Sequence, residues 1–205
     1  MEEAVIKREL AQSYDKDAAR RTAKTLPGWK LREREEFLHS LQEASCRTLL
    51  EIGSGPGIDA AFFSEQGLDV MCTDLSAAMV DSCRERGLQA EVMDFYALGL
   101  PDGSFDGVYA MNCLLHVPKA DFEGVLKEMS RVLKPGGLTY LGLYGGRESE
   151  GLWEDDWCEP PRFFSFHGDR EILRRVSPVF HVEGFGTVPQ KGELHYQSMV
   201  LRKPR

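Results

Sequence analysis

The sequence predicts an α/β fold, a doubly wound and mostly parallel sheet that ends in an antiparallel strand pair. Three observations predict it. Short apolar runs alternate with helix-patterned segments between residues 48 and 146. Gly53, Gly55 and Gly57 crowd the turn after the first of those runs. Two β-patterned runs then close the chain with no helix between them. Strand and helix repeats of this length imply right-handed crossovers and a sheet covered on both faces.

Residues 5–41 mix Lys, Arg, Glu and Asp with apolar positions at helical spacing, and Leu26-Pro27-Gly28-Trp29 interrupts them with a turn signal. Two helices ahead of the sheet are expected. "TLLEIG" (48–53) reads as a buried strand, 58–66 as a helix, "LDVMCTD" (68–74) as a strand, and 76–86 as a helix opened by an N-cap serine. "LQAEVMD" (88–94) and "FDGVYAMN" (105–112) read as strands. A helix over 121–133 is ended by Lys134-Pro135-Gly136-Gly137, and "LTYLGLYGG" (138–146) follows as a fifth strand. After an acidic loop and a helix at 169–176, "PVFHVEGFGTV" (178–188) and "ELHYQSMVLRK" (193–203) read as an antiparallel pair at the sheet edge.

A chain of 205 residues fits one domain with one sizeable core. Its net charge of −8 disfavours nucleic acid and anionic membranes as partners, because both need dense Lys and Arg clusters. No stretch approaches the ~18 apolar residues of a spanning helix, and the first ten residues have no secretory core, so a cytoplasmic protein is expected. The five cysteines are widely spread and never form a C-x-x-C pair, which suggests neither a disulfide framework nor a metal site.

In an open parallel sheet, ligands bind outside the carboxyl ends of the strands, and the first strand-to-helix turn forms the floor. Here that turn reads G-x-G-x-G, with Ile58 where a dinucleotide fingerprint places its third glycine. Glu51 ends the strand beneath it, and a carboxylate there opposes a pyrophosphate but suits a cationic or zwitterionic group. Asp74, 21 residues past Gly53, sits where an acid accepts ribose hydroxyls. Asp94-Phe95 offers a carboxylate and a ring for an adenine. Each feature also has a plainer reading: a tight packing turn for the glycines, helix-capping chemistry for Asp74 and Ser76.

Together, "LLEIGSGPG", "DVMCTDLSAAMV", "EVMDFYALGLPDGSFDGVYAMNCLLHV" and "EMSRVLKPGGLTYLGLY" resemble, in order and spacing, the motifs of class I S-adenosylmethionine-dependent methyltransferases of the small-molecule type. The resemblance covers about residues 48–144. It implies a seven-stranded sheet with one antiparallel strand, and S-adenosylmethionine as cofactor with S-adenosylhomocysteine as product. It divides the domain into a helical cap (1–45), a cofactor-binding core (46–144) and an acceptor-side segment (145–205).

By the same resemblance, Gly53, Ser54, Gly55 and Gly57 line the methionine part, supported by Glu51. Asp74 holds the ribose, Leu75 and Met79 flank the adenine, Asp94 and Phe95 bind its edge, and Asn112 lies near the sulfonium. His116 is the candidate base, against a reading as a packed, hydrogen-bonded side chain. Tyr14, Trp29 and Lys30 fall where the cap closes, Tyr144 ends the fifth strand, and Trp153, Trp157 and His167 are candidates to line an acceptor pocket. Residues 147–164 carry six acids, read mainly as a solvated loop and alternatively as a selector for a cationic acceptor.

The expected activity is in-line methyl transfer to an O or N atom of a small-molecule acceptor, by a monomer or homodimer. A nicotinamide-dependent (NAD(P)) oxidoreductase and a non-catalytic S-adenosylmethionine-binding protein are the competing readings. "MNCLLHVP" lacks the prolines and aromatic of the nucleobase-methylating clamp, which again points away from nucleic acid.

Overall fold

The computed structural model describes residues 2–153, 156–190 and 192–205. Two helices come first, α1 (Glu3–Thr22) and α2 (Gly28–Glu43). Pro27 separates them in extended backbone, at the N-cap position of α2 where its missing N–H costs nothing. The alternation follows: β1 (Thr48–Ile52), α3 (Ile58–Glu65), β2 (Asp69–Asp74), α4 (Ala77–Glu85), β3 (Gln89–Val92), β4 (Phe105–Met111), α5 (Phe122–Val132) and β5 (Leu133–Gly145). The chain closes with β6 (Ser149–Leu152), β7 (Phe163–Phe166), α6 (Asp169–Val176), β8 (His181–Pro189) and β9 (His195–Arg202).

Seven strands form one sheet in the order β3-β2-β1-β4-β5-β9-β8. The first five pair in parallel, whereas β9 runs antiparallel to both β5 and β8. The doubly wound sheet and its terminal antiparallel pair are therefore as the sequence predicts. Strand alternation feeds two cores. Val108 and Ala110 of β4 face α5 and α6, while Tyr109 between them faces α2 and α3. On that second face Tyr109 stacks on Tyr140 at 4.9 Å, ringed by Phe37 and Phe63. No helix among the described residues is long and apolar enough to cross a membrane.

Two segments differ from expectation. Helix α5 ends at Val132, and Lys134-Pro135-Gly136-Gly137 form a bulged approach to β5, where pairing jumps from Phe105↔Leu133 to Gly107↔Leu138. Pro135 has no N–H for the ladder and Gly136 takes φ +79°, so the register slips there. The acidic segment after β5 is not simply a loop, because β6 and β7 pair as an antiparallel ribbon that buries Phe163, Phe164 and Phe166. Its Glu154 and Asp155 lie outside the described residues.

At the end of the sheet away from the glycine turn, Asp106 joins three strands. Its Oδ2 accepts from the backbone N–H groups of Arg47 and Thr48 and from the Thr48 hydroxyl, each at 3.0 Å. Its Oδ1 accepts from Lys134 Nζ at 2.6 Å. Burial opposes its ionisation, yet these donors hold the carboxyl down at about 2. Asp106→Ala should lower unfolding free energy by about 2–3 kcal/mol at pH 7, the range for removing a charged hydrogen-bonding partner. Urea denaturation checks this. The stabilisation is full above the ordinary aspartate pKa and should fade as pH falls toward about 2.

Candidate active site

The carboxyl ends of β1, β2 and β4 surround a cavity of about 170 Å³ roofed by α1 and the start of α2. Its floor is the turn after β1. A Cβ on Gly53 would lie 2.3 Å from Cys113 Cβ, and one on Gly57 would meet Leu88 and Cys83 below 3 Å. These two are glycines for packing. All three take positive φ, but Gly55 alone of them has open space where a Cβ would stand, which lets a ligand approach the backbone.

Asp74 braces that turn. Its Oδ2 accepts from Gly55 N–H at 2.8 Å and its Oδ1 from Ser76 N–H at 2.9 Å. Burial raises its pKa, against the lowering effect of those two N–H groups. Ser76 caps α4 by accepting from Met79 N–H. Asp15 of α1 in turn accepts from the Ser76 hydroxyl and from Ala78 N–H, which docks the roof on the start of α4.

Two acceptor oxygens at the cavity are buried without a hydrogen-bond partner: Glu51 Oε2 and Asn112 Oδ1. Burial, and then the nearby Asp59 charge, push the Glu51 carboxyl well above its ordinary range. Asn112 ends β4 in the left-handed region at φ +57°, its N–H donating to Gly142 O at 2.7 Å. Asp59 on the first turn of α3 is held 3.1 Å from Arg34, whose guanidinium lies over Phe62. An orphaned buried acceptor costs about 1–3 kcal/mol until a donor arrives. A ligand that brings an ammonium group, with three donors and no acceptor, meets that demand.

His116 is 4% exposed, and both ring nitrogens are engaged. Nδ1 lies 2.7 Å from the Phe163 carbonyl, which can only accept, so Nδ1 carries the proton. Nε2 then accepts from the Tyr14 hydroxyl at 2.8 Å. Tyr14 accepts in turn from Arg162, which is paired with Asp156 at 2.6 Å. Burial drives the His116 pKa to about 3. Both nitrogens are thus committed in this arrangement, which favours the packed, hydrogen-bonded reading of His116 over that of a base. The imidazole anchors the roof helix through Tyr14.

The cavity wall brings together Tyr14, Lys30, Glu51, Gly53, Ser54, Gly55, Asp74, Leu75, Phe95, Asn112 and His116 from the sequence-predicted set. Asp94 lines a narrow cleft beside it, where Lys7 of α1 pairs with its carboxylate. The others are not at the wall. Gly57 and Met79 are packed beneath it. Trp29 and Tyr144 both pack on Tyr196. Trp153 lies against Phe164 and Phe166 on the β6–β7 ribbon, and Trp157 is 56% exposed with Arg20 stacked 3.4 Å from its ring centre. His167 is fully buried against Phe122, and burial lowers its pKa to about 4.

Sequence reasoning missed Leu10, Arg21, Lys24, Asp59, Met111 and Cys113 at the wall, and the Arg162–Asp156 pair behind Tyr14. Met111 and Cys113 flank Asn112 and were readable from it. Arg21 and Lys24 carry no pattern that separates them from any solvated helix face.

A methyltransferase-domain family model matches residues 50–141, a span that holds the glycine turn, Asp74, Asp94 and Asn112. Over that span the chain is similar to methyltransferase domains, and its sheet is that of the class I S-adenosylmethionine-dependent methyltransferase fold. Relatives include the biotin biosynthesis bifunctional protein of Cellvibrio japonicus, 32% identical over 69% of this chain and 28% of that protein. The ubiquinone biosynthesis O-methyltransferase of Xanthomonas oryzae is 30% identical over 53% of this chain and 47% of its own length. The chain thus spans less than half the length of these curated relatives. Among solved structures, the Burkholderia thailandensis 1,6-didemethyltoxoflavin N1-methyltransferase, with that substrate and S-adenosylhomocysteine bound, superposes with a TM-score of 0.76 at 22% identity, over 98% of this chain and 88% of that one. This last likeness is one of fold.

The His116 geometry sets a pH dependence. Its folded pKa lies below the ordinary 6.5, so its neutral form stabilises the fold fully above that value and progressively less toward pH 3. The stability advantage of the parent over His116→Asn should be flat above pH 7 and shrink by roughly 3 kcal/mol by pH 4. Paired urea titrations across that range read the difference.

Proposed function

We propose that this chain binds S-adenosylmethionine in the cavity and transfers its methyl group in line to an O or N atom of a small-molecule acceptor. The observation that carries the reading is the pair of orphaned oxygens, Glu51 Oε2 and Asn112 Oδ1, beside the open face of Gly55. They suit the ammonium of a methionine tail and oppose a pyrophosphate, which argues against a nicotinamide cofactor. Asp74 has one lone pair per oxygen left after its two N–H bonds, enough to accept from ribose hydroxyls. Leu75 and Phe95 offer apolar faces to the adenine, and Asp94 lies at its edge. On this reading residues 1–45 form the cap, 46–144 the cofactor core and 145–205 the acceptor side.

The cofactor, when bound, would supply a sulfonium-activated methyl carbon to which an acceptor lone pair forms a bond as the C–S bond breaks and its electrons pass to sulfur. The chain's own task is then to orient and to exclude water. Holding the reacting atoms at about 3–3.5 Å in line accounts for most of the acceleration such a reaction needs. Tyr14, locked by His116 and Arg162, fixes the wall against which the acceptor is placed.

S-adenosylhomocysteine should raise the melting temperature, and NAD or NADP should not. Asp74→Ala should weaken S-adenosylhomocysteine binding by about 1–3 kcal/mol in calorimetry, the cost of a lost charged partner. Stabilisation by NAD alone, or unchanged affinity in the variant, contradicts the reading.

A further inference from the structure

One part of the cavity wall is left over when the cofactor contacts are assigned. The end of α1, the linker and the start of α2 place Arg21, Lys24 and Lys30 around the same space. The chain as a whole carries a net charge of −8, so three cations at one mouth run against its average. Arg21 shares Asp17 with Arg20, one carboxylate between two guanidiniums. Lys24 and Lys30 make no ion pair among the described residues. Lys30 lies 5.5 Å from the centre of the Trp29 ring, and Trp29 packs on Tyr196 of β9 beside Tyr144 at the end of β5. That puts the ammonium on the β5–β9 side of the glycine turn.

The wall acids that would serve a cationic acceptor are already engaged, as are three of the four acids described on the segment after β5, Glu159 being exposed and unpaired among the described residues. At the cavity wall Asp59 is paired with Arg34, Asp74 holds two backbone N–H groups, and Glu51 faces the methionine ammonium in the proposed reading. On the segment after β5, Glu148 pairs with Lys119, Glu150 accepts from Lys119 N–H, and Asp156 is committed to Arg162. The loaded cofactor adds further positive charge, since a sulfonium and an ammonium outweigh its single carboxylate.

We propose that the methyl acceptor carries an anionic group, a carboxylate or a phosphate monoester, held at the cavity mouth by Lys24 and Lys30 with Arg21. The inference rests on the methyltransferase reading of this cavity. Burial, opposed by Asp59 and aided by the neighbouring charges of Lys24 and Arg21, lowers the Lys30 pKa to about 8. A bound anion relieves that repulsion and offsets the desolvation. Where the anionic oxygen is itself the nucleophile, it forms the bond to the methyl carbon with no proton to lose. The need for a base, which His116 does not meet, then disappears.

The test uses the full chain, its Lys24→Gln and Lys30→Gln variants and the double variant, with folding checked by melting temperature. S-adenosylhomocysteine release is followed over matched probes: 4-hydroxybenzoate against 4-hydroxybenzamide, malonate against malonamide, and phosphoethanolamine against ethanolamine. Binding of each probe to the S-adenosylhomocysteine complex is read by thermal shift. Expected is a preference for the anionic member of at least one pair, with a tenfold or greater loss of that preference in the double variant. S-adenosylhomocysteine affinity should change less than threefold, and Lys30→Arg should restore the preference. The carboxylate and phosphate pairs separate the two sources of the anion.

Three results overturn the proposal. One is neutral probes preferred, or no anionic probe distinguished from its partner in either turnover or binding. Another is a preference untouched by the double variant. The third is a tenfold loss of S-adenosylhomocysteine affinity while decarboxylated S-adenosylmethionine binds as before, which would assign the lysines to the cofactor's own carboxylate. Failure of S-adenosylhomocysteine to bind the parent protein would instead sink the underlying methyltransferase reading.

Discussion

The half-buried Asp74 carboxylate is the constraint on which the site depends. Its two oxygens take N–H groups from two different elements, Gly55 in the turn after β1 and Ser76 at the start of α4. Strand pairing alone fixes where β1 and β2 end, but not where the turn between β1 and α3 goes. Gly55 has no side chain to pack and open space around it, so the carboxylate supplies the hold that packing cannot. The same brace sets the capping serine, and through it Asp15 and the whole of α1. Floor and roof are thus registered to one carboxylate.

The roof has a second anchor at the far wall, and its chemistry is that of a lock. Phe163 O, His116, Tyr14, Arg162 and Asp156 form a chain in which every donor has one acceptor. Protonating His116 would leave two N–H groups facing one carbonyl and a tyrosine hydroxyl that then has no acceptor. The chain therefore selects the neutral tautomer, in agreement with a pKa driven far down by burial. A side chain so fixed serves geometry. Methyl transfer from an activated donor asks mainly for geometry, so the absence of a free base at this wall is consistent with the chemistry proposed.

The mostly parallel sheet and its final antiparallel pair were legible because the central strands are buried on both faces and feed two cores, as Val108, Tyr109 and Ala110 do. The floor of the site was legible for a related reason: Glu51, Gly55, Asp74 and Asn112 are tied to strand ends, and strand ends are what periodicity locates. The roof and the acceptor side were not. Trp157 and Trp153 read as pocket residues because large aromatics need a reason for their position, yet one stacks on Arg20 and the other packs on the β6–β7 ribbon. Lys7 meets Asp94 across some 87 positions of sequence, and Arg162 reaches Tyr14 across 148. Such pairings arise only once the chain has folded, and a charged helix face gives no sign of which members will turn inward.

Charge around the cavity is sorted from floor to mouth, and that sorting has consequences for binding order. Carboxylates of Glu51 and Asp74 lie at the floor, where burial makes their ionisation costly until a donor-bearing ligand is present. Cations lie at the mouth, on the element that must be in place to close it. A zwitterion whose ammonium enters first satisfies the floor and brings one anionic group toward the roof. The field left at the mouth then stays positive, and it is felt most strongly where water has been displaced by the cofactor and the cap. Before the cofactor arrives, that field lacks the net positive charge the sulfonium and ammonium bring. On the proposed reading an anionic second ligand therefore binds more tightly after the cofactor than before it, a coupling built from the placement of charges with no moving part required.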